Sequence, residues 1–83
     1  MKTIWKFPLK LVGGIQSLSI PKDARLLHVG DQFDTPSLWF EVDEDAEREE
    51  LGFSVVGTGH PVSGGEYLGT AVGSRFVWHI YQH

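Results

Sequence analysis

Residues 67–81 read YLGTAVGSRFVWHIY, two runs rich in β-branched and aromatic residues on either side of Gly73-Ser74. A Gly-Ser pair between such runs is a hairpin signal. Glycine reaches the positive φ that tight turns demand, and the flanking side chains suit a pleated surface. The stretch predicts a strand at residues 67–72, a turn, and a strand at residues 75–81. Alternation along the second strand puts Phe76, Trp78 and Ile80 on one face and His79 and Tyr81 on the other.

The same period of two organises most of the chain outward from this hairpin. In residues 5–11, Trp5, Phe7, Leu9 and Leu11 alternate with Lys6 and Lys10, and Pro8 marks a sheet edge or a break. Residues 15–20 follow the Gly13-Gly14 turn and end at Pro21. Residues 25–29 stop at Gly30-Asp31. Residues 37–42 carry Leu38, Phe40 and Val42 on one face and Trp39 and Glu41 on the other, and residues 53–56 form a further short strand. No segment holds 3.6-residue apolar spacing long enough for a substantial helix. The expectation is a single all-β domain over residues 1–83, a small antiparallel sandwich or partly open barrel of six to seven short strands. Its expected interior comprises Trp5, Phe7, Leu38, Phe40, Phe53, Val55, Phe76, Trp78 and Ile80.

Composition narrows the function classes. Eighty-three residues, 41% hydrophobic and 22% charged, suit one folded domain rather than two or a disordered chain. The net charge of −4 provides no basic footprint for duplex DNA. The absence of cysteine removes disulfides, thiolate nucleophiles and cysteine-based metal sites. No apolar run reaches membrane-span length and the first residues lack a secretory apolar stretch, so a soluble intracellular protein is expected. Residues 1–40 carry +2 and residues 41–83 carry −6, with seven acids between Glu41 and Glu50. That run reads as a solvated connection, since it lacks the glycine and spaced oxygen ligands of a calcium loop.

Candidate chemistry concentrates in GTGHPVSGG, residues 57–65. Gly57 and Gly59 free the backbone to aim N–H groups at an anion, while Thr58 and His60 add side-chain donors. The sequence matches neither a Walker loop nor a dinucleotide fingerprint, and its plain alternative is a glycine-rich turn. Arg75 or Lys6 is a candidate cation beside it. Trp39 and Tyr81 are candidate stacking faces, because alternation sets them, with Tyr67 and His79, opposite the expected core. His28, His60, His79 and His83 show no paired metal-ligand spacing, so neither a metal nor a cofactor is expected. His79 reads as a plain strand residue and His83 as a frayed end. No serine sits in a nucleophile elbow.

IWKFPL (residues 4–9), LWFEVD (38–43), FSVVGTGHP (53–61), EYLGT (66–70) and FVWHIY (76–81) resemble a family of small bacteriophage and prophage proteins without an assigned biochemical function. GTGHP is the most specific element, and residues 62–66 are where members are expected to vary. The resemblance implies a phage product acting in the cytoplasm of its bacterial host and transfers no catalytic residue. Three classes then compete. The first is a non-enzymatic binding protein that inhibits bacterial defence, by sequestering a nucleotide-derived signal or by blocking a defence protein. Its expected site is Gly57, Thr58, Gly59, His60, Trp39, Tyr81 and Arg75. The second is a minor virion or assembly component, and the third a hydrolase using His60. Unprotected strand edges in so short a chain suggest a homo-oligomer.

Overall fold

Along Thr35–Asp43 the side chains of Leu38, Phe40 and Val42 are buried, whereas Trp39, Glu41 and Asp43 between them are only half-buried. That alternation gives the strand one face in the core and one toward water. In a computed structural model describing residues 1–83, it is the fourth of seven strands. These are β1 (Lys2–Pro8), β2 (Gln16–Pro21), β3 (Arg25–Gln32), β4 (Thr35–Asp43), β5 (Arg48–Gly57), β6 (Glu66–Val72) and β7 (Val77–Gln82). They form two antiparallel sheets, β1-β4-β3 and β2-β5-β7-β6, with no helix. The expected all-β sandwich is therefore the observed class.

The core lies between the sheets and comprises Leu9, Ile20, Leu38, Phe40, Val42, Phe53 and Ile80. Trp5, Phe7, Val55 and Trp78 pack around it half-buried. Phe7 and Phe53 flank Phe40 in edge-on arrangements, at centroid distances of 5.8 and 6.5 Å. Such geometry sets a ring edge against a neighbouring π-face. Phe76, expected in this interior, is instead 59% exposed. The strand begins only at Val77, and Gly73 N–H donates to Phe76 O at 2.9 Å to close a four-residue turn. Phe76 therefore lies beyond the end of the core.

Two further segments differ from the sequence expectation. Gly30-Asp31 does not end β3, which continues to Gln32, and the hairpin turns at Phe33 and Asp34 with φ of 54° and 60°. Positive φ at both central residues is the requirement of a type I′ turn, which glycine or asparagine usually meets. The acidic run is not merely a connection, because β4 extends to Asp43 and β5 starts at Arg48. Only a short turn joins them, closed by N–H bonds from Asp45 to Asp43 Oδ1 and from Ala46 to Asp43 O, both 3.0 Å. The exposed Arg48, Glu49 and Glu50 are paired with β2 while remaining in water.

The two sheets meet most closely where β3 packs on β6. A Cβ on Gly69 would fall 2.9 Å from the Val29 Cβ, so this approach requires glycine. At the ends of the same strands the β3–β4 and β6–β7 turns are joined. Asp34 Oδ1 accepts from the Ser74 N–H at 3.1 Å and from its hydroxyl at 2.7 Å. These bonds hold the Asp34 carboxyl below the usual carboxylate range, the hydroxyl bond being the larger cause.

Candidate functional site

β5 ends at Gly57, and the chain reverses immediately through residues 57–60. The His60 N–H donates to Gly57 O at 3.0 Å, and Gly59 takes φ +89°, the left-handed position that glycine occupies without steric cost. A Cβ on Gly57 would lie 3.2 Å from His60 Nδ1 and 3.3 Å from the Trp78 ring. Its absence lets the imidazole fold back toward the indole. The turn leaves the N–H groups of Thr58 and Gly59 without a hydrogen bond inside the chain.

Beside this turn opens a groove of about 490 Å³, lined by Gly57, Thr58 and His60 on one side and by Arg75, Phe76 and Trp78 on the other. That volume lies in the range of small-molecule sites. The Phe76 and Trp78 rings are 5.6 Å apart and tilted by 38°, giving the groove an aromatic wall. Arg75 makes no ion pair, and Asp34 anchors the residue before it. A smaller hollow of about 230 Å³ adjoins, formed by His60 and Trp78 with Leu11 and Val12.

Four of the expected site residues, Gly57, Thr58, His60 and Arg75, thus share one groove, and Gly59 shapes its turn. Trp39 and Tyr81 do not line it. Trp39 belongs to the other sheet, where its ring lies 5.4 Å from that of His28. Tyr81 lies on β7 with its ring 5.6 Å from that of Tyr67. Lys6 donates to Gln32 Oε1 within the β1-β4-β3 sheet. The aromatic rings beside the turn are those of Phe76 and Trp78, both expected in the core from sequence.

A polar network that no single strand's sequence announces lies on the outer face of the four-stranded sheet. His79 Nε2 is 2.8 Å from Thr58 Oγ1, and its Nδ1 is 3.0 Å from Thr70 Oγ1, which also bonds the Tyr67 hydroxyl. The cross-strand register that pairs Thr70 with His79 creates this line, and register is not written in any one strand. His83 is tied down rather than frayed. Its N–H donates to Gly52 O at 2.9 Å and its Nε2 lies 2.8 Å from Ser54 Oγ.

No three His, Asp or Glu residues gather as a metal-binding group. No helix is long and apolar enough to cross a membrane. No curated protein and no solved structure matches the chain. A family model, described as a domain of unknown function, matches residues 1–83, and the chain belongs to that family, DUF7352.

Proposed function

We propose that the protein is a small binding domain that holds an anion-bearing ring ligand, a nucleotide or a nucleotide-derived signal, in the groove between residues 57–60 and Arg75. The observation that carries this reading is the convergence of three complementary groups. Unbonded N–H groups at Thr58 and Gly59 and the unpaired Arg75 guanidinium suit a phosphate. The Phe76–Trp78 wall suits a base, since stacking on an aromatic ring contributes about 1–3 kcal/mol per base.

The resemblance to small bacteriophage proteins supports a setting in the host cytoplasm. There the protein would withhold a nucleotide signal from a bacterial defence system or occupy a defence protein directly. In the same reading it works as a homodimer. β1 and β2 are sheet edges outside the β3–β6 contact, and pairing at one of them would satisfy its free backbone groups. Light scattering at micromolar concentration should report twice the 9.3 kDa of one chain.

A thermal-shift screen against linear and cyclic nucleotides tests the binding reading. A true ligand at 100 times its dissociation constant adds about 2.7 kcal/mol of stability. Thr58→Ala combined with His60→Ala should reduce the shift while melting close to the parent, because both side chains are exposed. Absence of a shift with every nucleotide would reject this ligand class.

A further inference from the structure

Thr58, His79 and Thr70 lie in a line that groove binding alone does not use. The Thr58 hydroxyl is 2.8 Å from His79 Nε2, and His79 Nδ1 is 3.0 Å from Thr70 Oγ1. Thr70 Oγ1 bonds in turn to the Tyr67 hydroxyl. If the Thr70 hydroxyl donates to Tyr67, its oxygen is free to accept from Nδ1–H, and Nε2 is left as the acceptor facing Thr58. Hydroxyl, imidazole and an orienting oxygen then stand in the order that activates a nucleophile. The next residue, Gly59, carries an N–H with no partner in the chain and takes φ +89°. An N–H on the residue after the nucleophile is a recurring oxyanion donor in acyl transfer. Thr58 is exposed and lines the groove, so an ester carbonyl can approach it.

We propose that Thr58 is an acyl-accepting nucleophile for small activated aryl esters, with His79 as its general base and Thr70 as the positioning residue. Thr58 Oγ attacks the ester carbonyl as its proton passes to His79 Nε2, and the oxyanion faces the Gly59 N–H. The C–O bond to the aryl group breaks, and the phenol leaves with the proton from His79. Water then attacks the acyl-threonine carbonyl, giving a proton to His79, which returns it to Thr58 Oγ as the carboxylic acid departs. The orienting group is a neutral threonine rather than a carboxylate, so the imidazolium formed in each step lacks a charged partner and turnover is slow. His60, the residue that sequence reading offers for hydrolysis, has no hydroxyl bonded to its ring. The proposal rests on the groove being open to small molecules, not on the nucleotide reading of its ligand.

The test uses p-nitrophenyl acetate with the full chain, reading p-nitrophenolate release and the site of acetylation by peptide mass spectrometry. The expected result is one acetyl group on the peptide holding Thr58, absent from Thr58→Ala and kept at that position in Thr58→Ser. His79→Gln should slow acylation by about 10²-fold, the lower end of general-base contributions. Thr70→Val should change the pH profile of acylation, which loss of a purely structural contact would leave alone. Acetylation confined to lysines or other histidines, or equal rates in the parent and in folded Thr58→Ala, would overturn the proposal. Melting curves of each variant separate these outcomes from unfolding. A nucleotide shift without an acetyl adduct removes this proposal alone, and an adduct without any nucleotide shift removes only the ligand reading.

Discussion

The Asp34 carboxylate in the β3–β4 turn accepts both the N–H and the hydroxyl of Ser74 in the β6–β7 turn, at 3.1 and 2.7 Å. One residue of one sheet thereby fixes the loop of the other sheet that carries Arg75 and Phe76. The groove wall is thus held from outside its own hairpin.

This link gives a pH dependence of definite sign. Asp34 ionises more readily folded than unfolded, so its contribution is present above its ordinary unfolded value and lost as pH falls through the lower folded value. Asp34→Asn, which tolerates the positive φ of this position, should melt below the parent at neutral pH. The difference should shrink in acid. A gap that stays constant from neutral pH to about pH 2, well below the ordinary Asp range, would assign the effect to turn geometry instead.

Phe33 combines φ +54° with 91% exposure, so it has the steric cost of a left-handed residue without the return of burial. Phe33→Asn should therefore stabilise by about 1 kcal/mol. In a domain of this size that raises the melting temperature by about 4–8 °C. A lower melting temperature would reveal a stabilising role for the ring.

Phe53 is fully buried and Phe76 is 59% exposed. Truncating Phe53 to alanine should cost about 3–5 kcal/mol and leave much of the protein unfolded at room temperature. Phe76→Ala should remain folded and weaken ligand binding. Equal denaturant midpoints for the two variants would contradict the placement of the core.

Gly69→Ala would set a Cβ 2.9 Å from the Val29 Cβ at the β3–β6 contact. Overpacking of this kind costs about 1–3 kcal/mol. Val29→Ala in the same chain should recover part of the loss, and a double-mutant cycle in urea measures that coupling. Strict additivity would mean that the two residues do not press on each other.

Period-two alternation made β4, β5 and β7 legible, and with them Leu38, Phe40, Phe53 and Ile80 as core residues. Val42 lies on the face that alternation gives to Leu38 and Phe40, so its burial follows from the same pattern, whereas Leu9 and Ile20 lie past or near the end of a short strand, where alternation carries little information. Phe76 was misplaced for the converse reason, since its parity is right but the strand has not yet begun. The β3–β4 turn is hidden because phenylalanine carries no turn signal, so Gly30-Asp31 sets the expected stop three residues early. For the site, the glycines announced the turn at residues 57–60. Alternation alone makes Trp39 look equivalent to the outward aromatics of β7, although it lies on the other sheet and Trp78 lines the groove. Two sheets have two outer faces, and a single strand's pattern does not say to which sheet it belongs. The Thr58–His79–Thr70 line needed the pairing of β5, β6 and β7, which forms only in the fold.

The most direct test of the groove is a nitrogen-15 NMR titration with a nucleotide that shifts the melting temperature. Binding there moves the amide signals of Thr58, Gly59 and Arg75 together with the indole N–H of Trp78, and leaves the indole N–H of Trp39 in place. Perturbations centred on Trp39 and His28, or spread without focus while the residues of 57–60 stay still, would contradict it.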